Sequence, residues 1–162
     1  MKNLGIFVID MQEDFLNQIR EKEKLIWAQK RLLNFAKEKQ IPVFILEYQG
    51  RGGELIPELK KSVVNGESYT IPKYHCNGFE NNLPLTCLLE RCRIKNLILT
   101  GVFAGACVLE TAKGAKKEGI TVFTSDMLMN RRYESDTRWY KQHTNYYESL
   151  GQLLINISNP NL

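Results

Sequence analysis

The stretch TGVFAGACVLETAKGA (residues 100–115) decides how the rest of the chain is read. An apolar run ends in very small residues, Ala104, Gly105 and Ala106, and a helical pattern over 106–118 begins beside Cys107. Val108, Ala112 and Ala115 recur on one face of that helix, while Glu110, Lys113 and Lys117 are left for solvent. A strand handing over to a helix is the repeating unit of an α/β sheet. Cys107 stands at the handover, where backbone N–H groups and the helix dipole lower a thiol pKa. Its small neighbours leave room for N–H groups to approach a substrate carbonyl. The competing reading is a small buried cysteine that only fills the core.

Working outward, nearly continuous β-branched and aliphatic runs at 4–10, 41–47, 96–101 and 120–126 suit strands buried on both faces. Weaker strand patterns fall at 68–73 and 152–158. Helical patterns occupy 21–39, 84–92, 106–118 and an aromatic-rich 133–150. The alternation predicts an α/β fold: a doubly wound, mainly parallel, Rossmann-like sheet with helices on both faces. No linker, repeat or low-complexity tract divides residues 1–162, so one domain is expected. Ligands of such sheets bind beyond the carboxyl ends of the strands, near the point where strand order reverses. Asp10, Lys73 and the approach to Cys107 all fall at such ends. The glycine-bearing segment 47–58 reads as a long and mobile rim.

Composition narrows the function. At 43% hydrophobic and 25% charged residues the chain can build an ordinary core. Its net charge of +4 comes from scattered lysines, without the basic stripe of a nucleic-acid binder. No apolar stretch is long enough for a bilayer, and the N-terminus lacks a signal-peptide layout. A cytoplasmic protein with reduced thiols follows, with no membrane or nucleic-acid partner. Cys76, Cys87, Cys92 and Cys107 form no Cys-x-x-Cys pair, and only His75 and His143 accompany them, so no metal site is expected.

A nucleophilic cysteine needs a group to take its proton and return it to the leaving atom. Neither histidine sits in a partner motif. An aspartate serves if desolvation raises its pKa, and Asp10 at a buried strand end suits that role. Lys73 would hold the thiolate and stabilise developing negative charge.

Three blocks carry a family resemblance. DMQEDF (10–15), PKYHCNGF (72–79) and LTGVFAGACVLETAKGAKKEGITV (99–122) resemble, in the right order, the motifs of the isochorismatase-like cysteine hydrolases. The resemblance implies Asp10 as general base, Lys73 as electrostatic partner and Cys107 as nucleophile. It also implies a cis peptide between Val102 and Phe103, with the backbone N–H groups of Phe103 and Cys107 forming an oxyanion hole. Phe15, Val102 and His75 are expected to contact substrate, His75 being as readily a solvated side chain. The implied activity is cleavage of a C–N bond in a small non-peptide amide or imide through a thioester, with no cofactor. Homo-oligomers are expected from the resemblance and from the aromatic segment 133–150.

Three departures matter. Ala104 replaces the family's threonine, Asn77-Gly78-Phe79 replaces Ser-Ala-Phe or Asp-Ala-Phe, and 47–58 lacks the histidines with which nicotinamidases bind a metal. True isochorismatases generally lack the cysteine. The first two departures support a second reading, a catalytically silent member of the fold used as a binding or interaction module.

Overall fold

The computed structural model describes residues 3–64, 66–130 and 140–159. β1 (Leu4–Ile9) is the centre of a six-stranded sheet in the order β3-β2-β1-β4-β5-β6, with every pairing parallel. β2 is Val43–Tyr48, β3 Ser68–Lys73, β4 Asn96–Gly101, β5 Thr121–Ser125 and β6 Asn145–Tyr147. Strand order reverses between β1 and β4, so their carboxyl ends open the crevice that doubly wound sheets use for ligands.

β1 shows why both faces are covered. Leu4, Ile6 and Val8 enter one apolar layer and Phe7 and Ile9 the other, all buried. The first layer is completed by α2 (Lys22–Lys39), α3 (Pro57–Val63) and α7 (Leu150–Ser158). The second is completed by α4 (Leu83–Arg91) and α5 (Leu109–Lys117). Two short helices, α1 (Glu13–Leu16) and α6 (Tyr140–His143), fill out the connections. Among the described residues no helix is long and apolar enough to cross a membrane.

Three expectations change. Residues 152–158 form a helix rather than a strand: Leu150, Leu153 and Ile157 bury at helical spacing, and the Ser149 hydroxyl caps the first turn by accepting from Gln152 N at 3.2 Å. A short apolar run is ambiguous between the two states until its partners are known. The proposed helix at 133–150 begins outside the described residues, Trp139 included. Its later part turns into edge strand β6, where Asn145, Tyr146 and Tyr147 pair with β5, as suits aromatic residues. Segment 47–58 is no free rim. Leu55 bridges Gln12, and Pro57 opens α3 from its first turn.

Gly101 sets how closely β4 can approach β1. It pairs with Ile9 at φ +134°, and a Cβ placed there would lie 2.0 Å from the Ile9 carbonyl oxygen. Backbone atoms cannot yield that space. Gly101→Ala should therefore destabilise the fold by about 3 kcal/mol or more. Gly119→Ala, with φ +71° but open space around it, should cost only about 1 kcal/mol. Urea unfolding midpoints of the two variants check the contrast, and equal losses would refute it.

Candidate active site

Asp10 and Lys73 meet across β2. Asp10 follows β1, Lys73 ends β3, and Tyr48 ends the strand between them, in register with Lys73. The lysine side chain crosses that gap, with Nζ 4.6 Å from the centre of the Tyr48 ring and 2.9 Å from Asp10 Oδ2. It also donates to the His75 carbonyl at 3.0 Å. Side-chain exposure is 1% for Lys73 and 3% for Asp10, so this ion pair is held in the protein interior. Asp10 takes φ +52°, a left-handed conformation that aspartate tolerates better than most side chains.

Cys107 arrives from the other side of the crevice. β4 ends at Gly101, the Val102–Phe103 peptide is cis, and a single π-helical turn, Ala104–Val108, leads into α5. π-turns of this kind are frequent at functional sites. Cys107 is 9% exposed, and its thiol interacts with the Asp10 carboxyl without meeting hydrogen-bond geometry. Asp10 Oδ1 is buried and has no hydrogen-bond donor.

The electrostatics correct one expectation. Burial pushes the Cys107 thiol up, the Asp10 charge adds to this, and Lys73 opposes it without winning. The dipole of the following helix does not yield a resting thiolate, because the site is desolvated and a carboxylate stands beside the sulfur. Asp10 is also raised, by burial first, against the pull of Lys73, Cys107 and Arg51. A more basic carboxylate next to a protonated thiol is an arrangement for moving a proton when a substrate arrives.

The thiol opens onto a cavity of about 230 Å³ lined by Asp10, Phe15, Gln18, Tyr48, Arg51, Cys76, Phe103, Ala106 and Cys107. Phe15 is one of these lining residues. Val102 is not among the lining residues; its side chain is fully buried in the core. The His75 side chain is 42% exposed and lies 3.5 Å from Glu80, so it contributes its carbonyl to Lys73 rather than its ring to the cavity. Tyr48, Arg51 and Cys76 were missed. Arg51 lies in the glycine-bearing segment 47–58, whose sequence reads only as a mobile rim.

Both altered positions have a packing reason. Ala104 is fully buried in the apolar layer below the site and does not line the cavity. The space at Gly78 is filled by Leu46 Cδ1, 2.7 Å from where a Cβ would stand, and Gly78 N donates to Thr111 Oγ1. Asn77 Oδ1 lies 2.3 Å from the Cβ position of Gly114, so Asn77 and Gly114 fit only together. Asn82 Nδ2 then donates to the carbonyls of Pro72 and Gly78, tying the lysine segment down.

Comparison with known proteins agrees with this fold. The Isochorismatase domain family matches residues 5–126. Isochorismatase family protein 2A of Dictyostelium discoideum is 25% identical over 150 residues, which cover 87% of this chain and 75% of that protein. The chain spans about half the length of the vertebrate relatives it matches, 55% in the case of Isochorismatase domain-containing protein 2 of Xenopus laevis. Among solved structures, MAR1 ribonuclease of Caenorhabditis elegans superposes with a TM-score of 0.83 at 23% identity, over 94% of this chain and 80% of that one. The nicotinamidase of Staphylococcus aureus gives 0.79 at 22%, over 93% and 97%. The YcaC gene product of Escherichia coli, an octameric hydrolase of unknown specificity, gives 0.73 at 22%, over 89% and 74%. At these identities the likeness is one of fold. The family match is broader in meaning, running from β1 through β5 and so across every strand that carries Asp10, Lys73 or the approach to Cys107: the chain belongs to the isochorismatase family of hydrolases.

Proposed function

We propose that the chain is a metal-independent cysteine hydrolase that opens a C–N bond of a small non-peptide amide or imide through a thioester. The observation that carries this reading is the buried Asp10–Lys73 pair beside the Cys107 thiol, all at the reversal point of the sheet. The substrate carbonyl sits over Sγ in the cavity. Asp10 accepts the thiol proton as sulfur attacks the carbonyl carbon, so no free thiolate accumulates beforehand. Charge developing on the carbonyl oxygen is met by the N–H groups of Phe103 and Cys107. The intermediate collapses, the C–N bond breaks, and the leaving nitrogen takes the proton from Asp10. Water, deprotonated by the same carboxylate, then cleaves the thioester, and the thiol recovers its proton. Lys73 keeps Asp10 ionised between steps.

Free-thiol labelling and turnover test the roles together. At about pH 7.5, below the ordinary thiol pKa, iodoacetamide should modify the exposed Cys76 and Cys87 before Cys107. Asp10→Asn removes the charge that raises the thiol and leaves Lys73 beside it, so Cys107 should label faster while hydrolysis falls by about 10²–10⁴-fold. Unchanged labelling in that variant would remove Asp10 from control of the thiol. Because Asp10 must be ionised and its pKa is raised, kcat/KM should fall on acidification with a midpoint above the usual carboxylate value of about 4.

The chemistry is written without a metal because the segment after β2 offers the cation Arg51 where nicotinamidases offer histidines. Among the described residues no group of three or more His, Cys, Asp or Glu side chains is placed to hold an ion. Turnover should survive dialysis against a chelator, and loss that zinc alone restores would contradict the proposal.

Assembly into a homo-oligomer is part of the same reading, supported by the octameric description of the YcaC protein. Light scattering should report a mass above 18.8 kDa; a monomer at micromolar concentration would overturn it.

A further inference from the structure

We infer that Arg51 selects the substrate of this site, and that the substrate carries a carboxylate at the end remote from its scissile carbonyl. The inference rests on the proposed hydrolysis for the scissile end; the anion subsite itself stands on three observations.

The first is charge. Lys73 is spent on Asp10 at 2.9 Å, and both are buried. Arg51 lines the same cavity, and among the described residues no carboxylate oxygen lies within 4.0 Å of it. Its charge is felt at Asp10 but is not neutralised there. Arg51 is exposed, so water and not a carboxylate solvates its guanidinium at the cavity wall, and a ligand anion can take that place; its planar fork matches a carboxylate through two parallel hydrogen bonds.

The second is placement. The guanidinium carbon stands 5.6 Å from the centre of the Phe15 ring and 5.4 Å from that of Tyr48, two rings that themselves line the cavity. Cation–π contacts of this kind hold the guanidinium beside the cavity and reduce the freedom that binding would otherwise cost.

The third is the backbone beneath it. Buried Gln12 donates from Nε2 to the carbonyls of Tyr48 at 3.1 Å, Arg51 at 3.4 Å and Gly53, and accepts from Tyr48 N through Oε1 at 2.9 Å. Asp14 Oδ2 accepts from Gly52 N at 3.2 Å. A Cβ on Gly52 would stand 2.8 Å from Phe15 and 3.0 Å from Gln12. The motif that supplies Asp10 therefore also fixes the loop that presents Arg51 to the same cavity.

The test compares an anionic with a neutral alkylating agent on the same thiol. At about pH 9, above the ordinary thiol range, rates of Cys107 modification by iodoacetate and by iodoacetamide are measured by mass spectrometry, with exposed Cys87 as internal reference. The iodoacetate-to-iodoacetamide ratio, normalised to Cys87, should be higher at Cys107 in the wild type and fall about tenfold or more in Arg51→Gln, the loss of a charge-assisted pair. Arg51→Lys should retain part of the preference, since it keeps the charge and loses the fork. In parallel, ammonia release from succinamate is compared with that from butyramide. A normalised ratio that is the same in wild type and Arg51→Gln overturns the subsite, whatever the amides do. A ratio that falls while neither amide is cleaved keeps the anion subsite and removes the amide reading. Cleavage of butyramide as readily as succinamate keeps the amide reading and overturns the selectivity assigned to Arg51.

Discussion

The site depends on one interaction, the ion pair that Lys73 makes with Asp10 across the end of β2. Two charges in the interior cost several kcal/mol each in lost hydration, and close geometry only partly repays it. Such a pair is a poor device for stability and a good one for chemistry. It keeps a carboxylate ionised where burial alone would protonate it, while burial keeps that carboxylate more basic than one in water. The strands must be parallel and tightly registered for the lysine to reach, and this ties the catalytic proposal to the topology of the sheet.

The thiol is governed by the same balance. With Asp10 beside it and little solvent around it, Cys107 rests protonated. In the proposed reaction, attack then waits for a substrate that lets the proton move and supplies a carbon for sulfur. This differs from a cysteine activated in advance by a helix dipole, and it spares the resting thiol from indiscriminate alkylation and oxidation. The π-turn and the small residues around Cys107 aim the side chain, and the neighbouring carboxylate does the rest.

DMQEDF (10–15) has a second use. Asp10 is the proposed general base, while Gln12, Asp14 and Phe15 hold the loop after β2 against β1. The buried amide of Gln12 satisfies backbone groups on that loop which would otherwise lack partners, a strong reason for the loop to keep one conformation. A segment with three glycines is thereby made rigid enough to present a side chain to the cavity.

The sequence by itself determined the architecture and pointed to the candidate reacting groups. Continuous apolar runs alternating with helical periods specify a two-sided parallel sheet, and Asp10, Lys73 and the approach to Cys107 are recognisable at the ends of its strands. Tertiary structure decided what depends on partners distant in the chain. Residues 152–158 are apolar enough for either state, and the layer they cover made them a helix. Tyr146 and Tyr147 became an edge strand because β5 offered a free edge. Val102 and His75 lie beside the right residues in sequence, yet the direction of the chain there takes one into the core and the other to solvent. The role inferred for Arg51 rests on contacts with Phe15, Tyr48 and Gln12, up to 39 positions away. The pKa of Cys107 was read from its helix and set by its burial and by Asp10, since desolvation and a neighbouring charge are properties of the folded chain and have no trace in local spacing.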